Sequence, residues 1–123
     1  MRGIIYKFEC IQDGKKYIGQ TVRPNQRYIE HITGNKQYVD KEIQRLGHSN
    51  FDYSVLVDAN LPERSLHRIL NFAEEELIKS YNSKIPNGYN ILKGGAISAK
   101  ELLFVKLKKI FRKIKRWIFR VTI

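Results

Sequence analysis

Two short β-prone runs, residues 3–11 and 15–22, flank Asp13-Gly14, and this arrangement constrains the fold more tightly than any other stretch of the chain. The runs carry aromatic or β-branched residues at Ile5, Tyr6, Phe8, Tyr17, Ile18 and Val22. Asp-Gly between such runs predicts a two-residue turn and therefore an antiparallel hairpin. The segments that follow switch to helical spacing. Pro24-Asn25 opens a first helix, where the missing proline N–H costs little, with Tyr28 and Ile32 four apart and Gly34-Asn35 closing it. A second helix fits residues 38–46, with Tyr38, Val39, Ile43 and Leu46 inward and Gly47 as its stop. Phe51 to Val57 first alternates and then turns continuously apolar, as a third strand does. Leu61-Pro62-Glu63 starts the longest helix, about 62–81, whose inward positions are Leu66, Ile69, Leu70, Ala73, Leu77 and Ile78. Pro86-Asn87-Gly88 is a turn, and Gly94-Gly95 reads as a hinge. The expected class is α+β: a small antiparallel sheet of about three strands flanked by helices, followed by a separate C-terminal amphipathic helix.

Charge divides the 123-residue chain at the same place. Residues 1–95 hold 14 Lys and Arg against 11 Asp and Glu, a net of +3, whereas residues 96–123 hold 9 against one, a net of +8. Residues 1–95 are thus expected to form one domain and residues 96–123 a basic tail. In that tail Leu103, Leu107, Ile110, Ile114, Trp117 and Val121 recur at helical spacing. Cations at Lys106, Lys108, Lys109, Arg112, Lys113, Lys115, Arg116 and Arg120 fill the remaining positions. Such a segment suits sequence-independent contact with nucleic-acid phosphates. It also suits an anionic membrane surface, and its stripe could pack on the body or on a second copy of the chain. The single cysteine, Cys10, precludes an internal disulfide. With a charged residue too early for a signal peptide, this points to an intracellular protein, cytoplasmic or nuclear and not secreted.

Within the body, Glu74-Glu75-Glu76 stands on the long helix. Glu75 has Asn71 and Lys79 one turn away and reads as an exposed ion-pair partner, and Glu76 is left open. Glu74 has Leu70, Leu77 and Ile78 as helical neighbours and so emerges from the apolar stripe, where a carboxylate is costly unless a cation binds it. On the first helix, Arg27 and His31 are four apart: one can fork onto a phosphate and the other can pass a proton near neutral pH. A surface arginine beside a capping histidine is the structural alternative. Tyr6 and Tyr17 could equally be a packing pair across the hairpin. No glycine-rich phosphate loop, no nucleophile triad and no cysteine–histidine cluster of zinc spacing is present. His48 and His67 read as surface residues and Cys10 as a strand residue with no redox role.

The order of these elements narrows the choice. Gly3-Ile4-Ile5-Tyr6, Lys16-Tyr17-Ile18-Gly19, Arg27 with His31, Glu74-x-x-Leu77-Ile78 and Asn87-Gly88-Tyr89-Asn90 form a series that resembles the GIY-YIG nuclease family over residues 1–95. That family includes intron-homing endonucleases, some restriction enzymes and the cleavage subunit of bacterial excision repair. Two departures are visible. With Tyr6 aligned, the family's glycine position falls on Ile4, and a second histidine found in some homing members has no counterpart in the stretch that holds Tyr38 and Asp40. The resemblance implies a DNA endonuclease of phage, viral or mobile-element type with limited sequence specificity, using one magnesium (or manganese) ion held by Glu74 and no small-molecule cofactor. It implies that Arg27 neutralises the phosphate, that Tyr6, Tyr17 or His31 activates water, and that Gly19 and Asn90 support the site. A catalytically inert nucleic-acid-binding protein is the alternative.

Overall fold

The computed structural model describes residues 1–91; the Gly94-Gly95 hinge and the tail of residues 96–123 lie outside them. In chain order the elements are β1 (Arg2–Cys10), β2 (Lys16–Thr21), α1 (Pro24–Thr33), α2 (Tyr38–Leu46), β3 (Phe51–Asn60) and α3 (Glu63–Ser80), with a 3-10 turn at His48–Asn50. The sheet has the order β2-β1-β3 with both pairings antiparallel. The central β1 is therefore covered on both faces, which is why its sequence is continuously apolar through Ile4-Ile5-Tyr6 instead of alternating.

The pleat sends successive β1 side chains to opposite sides. Ile5 joins Ile18, Leu66, Ile69, Leu70, Ala73 and Ile78 in an aliphatic core beneath α3. Ile4, Tyr6, Phe8 and Cys10 join Val39, Ile43, Phe51 and Tyr89 on the side of α1 and α2. Ile4, standing where the resemblance expects glycine, is thus an ordinary core residue of that second side. A bulge in the β1–β3 ladder explains the change of pattern within β3. Ile5 pairs with Val57 and Tyr6 with Val55, so Leu56 is the extra residue. Leu56 and Val57 then both enter the core under α3. Past the bulge the strand continues to Asn60, three residues beyond the expected end at Val57.

Two further expectations are corrected. The hairpin loop is longer than the two-residue turn predicted from Asp13-Gly14. Cys10 N–H donates to the Lys15 carbonyl at 2.9 Å across residues 11–14, and Gly14 takes the left-handed φ of +73° near the end of that loop. Tyr38, expected inward on α2, stands at the first position of the helix and is exposed, its ring edge-on to Tyr89. Val39 and Ile43 carry the buried face of α2 instead.

The segment after α3 returns to the free edge of β2. Asn90 donates from Nδ2 to the Ile18 carbonyl and accepts the Ile18 N–H at Oδ1, both at 2.8 Å. Tyr89 N–H donates to the Lys16 carbonyl at 2.8 Å, and the buried Ser83 hydroxyl donates to Asn90 Oδ1 at 2.7 Å. One amide side chain thus pairs with the edge strand as a neighbouring strand would, satisfying buried backbone groups that would otherwise be orphaned.

Candidate active site

On the α1–α2 side, aromatic rings enclose a small set of polar groups. β1 contributes Tyr6 and Phe8, β2 Tyr17, and β3 Tyr53. From the last turns of α1, His31 projects among them, with ring centroids 5.3 Å from Phe8, 5.4 Å from Tyr17 and 5.5 Å from Tyr6. His31 is fully buried and is the one α1 residue in the core, which excludes the reading of it as a surface cap. Tyr28 and Ile32, expected to carry the apolar face of α1, are only half-buried beside it.

The imidazole is bonded at both nitrogens. The Tyr6 hydroxyl lies 2.6 Å from His31 Nε2, and Asp40 Oδ1 lies 2.5 Å from His31 Nδ1. Asp40 sits in the first turn of α2, and its other oxygen accepts the Gln37 backbone N–H at 3.2 Å. Gln37 Oε1 in turn accepts the Tyr17 hydroxyl at 2.8 Å. The start of α2 therefore supplies partners to both the His31 and Tyr17 branches. Neither Asp40 nor Gln37 was singled out in the sequence. Their signal is weak there, because Gln37-x-x-Asp40 is a capping spacing that many helices share, and no periodicity links His31 to a helix beyond a turn.

Gly19 explains how the two tyrosines fit. It pairs with Tyr6 across the β1–β2 ladder, and a Cβ on it would lie 2.5 Å from the Tyr6 Cζ and Oη and 2.9 Å from the Tyr17 ring. Only a residue without a side chain leaves room for the Tyr6 ring to lie over β2.

Arg27, one turn before His31, donates to Glu30 at 3.0 Å, and its charge acts on the Tyr6 hydroxyl. Partial burial works against its charge, but Glu30 and the two tyrosine oxygens outweigh that and keep the guanidinium protonated. Burial is also the largest influence on both site tyrosines. It pushes Tyr6 well above the ordinary phenol range and raises Tyr17, with Arg27 opposing in each case. For His31, burial lowers the pKa against the opposing pull of Asp40, so the neutral ring is the resting form.

Glu74 stands on α3, and its charge acts to raise the Tyr17 pKa. One of its oxygens, Oε2, is shielded from solvent. Burial does not set it apart as sharply as the helical pattern suggests, since Glu74, Glu75 and Glu76 are all half-buried, Glu75 included. Lys79 Nζ lies 3.9 Å from Glu76, so Glu76 takes part in ion pairing on this helix. Among the described residues no group of three or more His, Cys, Asp or Glu side chains is gathered in metal-binding fashion. The donor set at Glu74 is a single hard carboxylate, which fits an ion that keeps most of its water, as magnesium does. His48 and His67 are exposed, and Cys10 is buried in β1.

The fold has a solved counterpart. A glutamate-to-alanine variant of the catalytic domain of the intron endonuclease I-TevI superposes with a TM-score of 0.58 at 23% identity, covering 77% of this chain and 98% of that one. The fold is that of a GIY-YIG catalytic domain. No protein-family model matches the chain, and no curated protein matches it in sequence. In this GIY-YIG fold, Tyr6, Tyr17 and His31 lie in one cluster with Arg27 beside it, Glu74 acts on Tyr17 by its charge, Gly19 leaves room in β2 for the tyrosine rings, and Asn90 holds the edge of that strand. The eight tail cations from Lys106 to Arg120 lie outside the described residues.

Proposed function

We propose that this protein is a metal-dependent DNA endonuclease that hydrolyses phosphodiester bonds with limited sequence specificity, of the kind carried by phages, viruses or mobile elements. The observation that carries the reading is the buried chain Tyr6–His31–Asp40, built into the core of a GIY-YIG fold with Arg27 half-buried beside it. Burying three polar groups in an aromatic core costs stability unless every hydrogen bond is made. A chemical task is the compensating gain.

In this reading, the phosphate lies against Arg27, whose planar fork neutralises the non-bridging oxygens as charge builds in the transition state. Glu74 would hold a magnesium or manganese ion, which when bound would supply Lewis-acid stabilisation of developing negative charge. Water activation falls to Tyr6 rather than Tyr17. The Tyr17 hydroxyl donates to Gln37 Oε1, an amide oxygen that accepts a hydrogen bond but not a proton. The Tyr6 hydroxyl leads to His31 Nε2, which accepts both. With its pKa raised by burial, Tyr6 is a poor base as a free phenolate. It works by taking a proton from water while its own passes to His31. The oxygen–phosphorus bond to water forms, the bond to the leaving oxygen breaks, the water's proton replaces the one that Tyr6 has passed to the imidazole, and the departing alkoxide takes a proton from solvent. The nine cations of residues 96–123 add sequence-independent affinity for DNA phosphates.

Incubation of the purified protein with supercoiled plasmid, with and without magnesium, tests this reading. Nicked and linear products are expected only with the metal. A protein that binds the plasmid but leaves it intact at every magnesium and manganese concentration is a binding protein instead.

A further inference from the structure

We propose that Asp40 is a positioning residue that holds His31 in the single tautomer able to take a proton from Tyr6. The inference rests on the nuclease reading for its role in turnover, and on the hydrogen-bond geometry alone for the tautomer.

The direction of every bond in the chain is set from its carboxylate end. Asp40 has acceptors and no donor, so the hydrogen between Asp40 Oδ1 and His31 Nδ1 belongs to the ring. A neutral imidazole with Nδ1 protonated has a bare Nε2, which faces the Tyr6 hydroxyl at 2.6 Å. In the other tautomer Nδ1 would point its lone pair at a carboxylate, and Nε2 would no longer accept the Tyr6 proton. Both mismatches would sit inside the core, since His31 is 0% and Asp40 4% exposed.

Asp40 is itself held firmly. It lies in the first turn of α2, near the positive end of the helix dipole, and its second oxygen is bonded to the Gln37 backbone N–H. When the proton arrives on Nε2, the resulting imidazolium is next to a carboxylate that is already oriented, so no reorganisation is needed. Asp40 touches neither water nor phosphate. It acts only through the ring.

The test combines nitrogen NMR of the histidine rings with cleavage kinetics of the full chain. In the unmodified protein His31 should show a protonated, pyrrole-type Nδ1 and a bare, pyridine-type Nε2. Asp40→Asn offers an amide N–H to Nδ1 and should reverse that pattern, with kcat on plasmid down by tenfold or more and KM for DNA changed by less than twofold. Asp40→Glu keeps an acceptor and should restore the native pattern and most of the rate. Its spectrum also serves if the asparagine variant fails to fold. A bare Nδ1 in a protein that cuts DNA overturns the assignment, and so does wild-type kcat in an asparagine variant with the reversed ring. Loss of KM rather than kcat would make Asp40 a structural residue and equally overturn it. Absence of cleavage by the unmodified protein overturns the nuclease reading, and is told apart because the tautomer remains measurable.

Discussion

The two faces of one three-stranded sheet carry cores of opposite character. Beneath α3 the buried side chains are aliphatic: Ile5, Ile18, Leu56, Val57, Leu66, Ile69, Leu70 and Ile78. On the α1–α2 side the rings of Tyr6, Phe8, Phe51 and Tyr89 join Ile4, Val39 and Ile43, and His31 and Asp40 are buried among them. The first face gains stability from every residue, because apolar burial carries no hydrogen-bond obligation. The second must satisfy each polar atom it encloses, and a single missing partner there leaves a desolvated group. The contrast teaches that stability and chemistry are assigned to different sides of the same central strand. β1 alternates between them residue by residue, Ile5 to one and Tyr6 to the other.

The comparison breaks most decisively at Glu74, which belongs by position to the aliphatic side and by charge to the site. Glu74→Gln should reduce cleavage by at least about 10³-fold, as loss of a metal ligand would, with DNA affinity in a gel-shift assay nearly unchanged. Glu75→Gln, one residue away, should cut at close to the wild-type rate. Equal effects from the two would show that this helix face has no special member.

Arg27→Ala should lower kcat by about 10²–10³-fold, the usual effect of removing one charge partner of the transition state. Arg27→Lys should recover only part of it, because a point charge lacks the planar fork. Single-turnover kinetics at saturating DNA measures both.

Leu70→Ala probes the opposite face. Leu70 is 0% exposed, and its truncation should cost about 2–5 kcal/mol in urea unfolding. The folded fraction should still cut DNA at the native rate. Loss of activity in proportion beyond the unfolded fraction would mean that the two faces are coupled.

Gly19→Ala sharpens the boundary between them. The added methyl would stand 2.5 Å from the Tyr6 ring and must push it aside. Stability should fall by about 1–3 kcal/mol, the range for overpacking, while cleavage falls roughly tenfold further than stability explains.

The smallest effect is a pH dependence. Burial holds the His31 pKa below its ordinary 6.5, so the unfolded chain takes up a proton near that pH and the folded chain does so only lower. The contribution is complete above about pH 6.5 and is lost as the pH falls from there towards the folded pKa. Urea midpoints across pH 7.5 to 5.5 should therefore decline more steeply in the native protein than in His31→Gln. Parallel declines would show that the ring is not held neutral by its burial.

Much of this arrangement was legible in the chain. Element order, the inward stripe of α3 and the shared face of Arg27 and His31 follow from periods of two and 3.6, which are properties of backbone geometry. The motif series added the fold as a whole, because five separated motifs in order are a stronger constraint than any one. Other features depended on where segments meet. The bulge at Leu56 reflects the way β3 is matched to β1, which no local pattern encodes. Tyr38 follows the inward spacing of α2 but lies at the helix start, where the core has ended. The partners of His31 come from β1 and α2, which lie 25 residues before it and nine after it. Local sequence determines which side chains share a face, since that depends only on the backbone repeat. Which groups touch across faces is decided by packing: only when α2 folds back beside α1 does Asp40 become the acceptor that sets the histidine's proton.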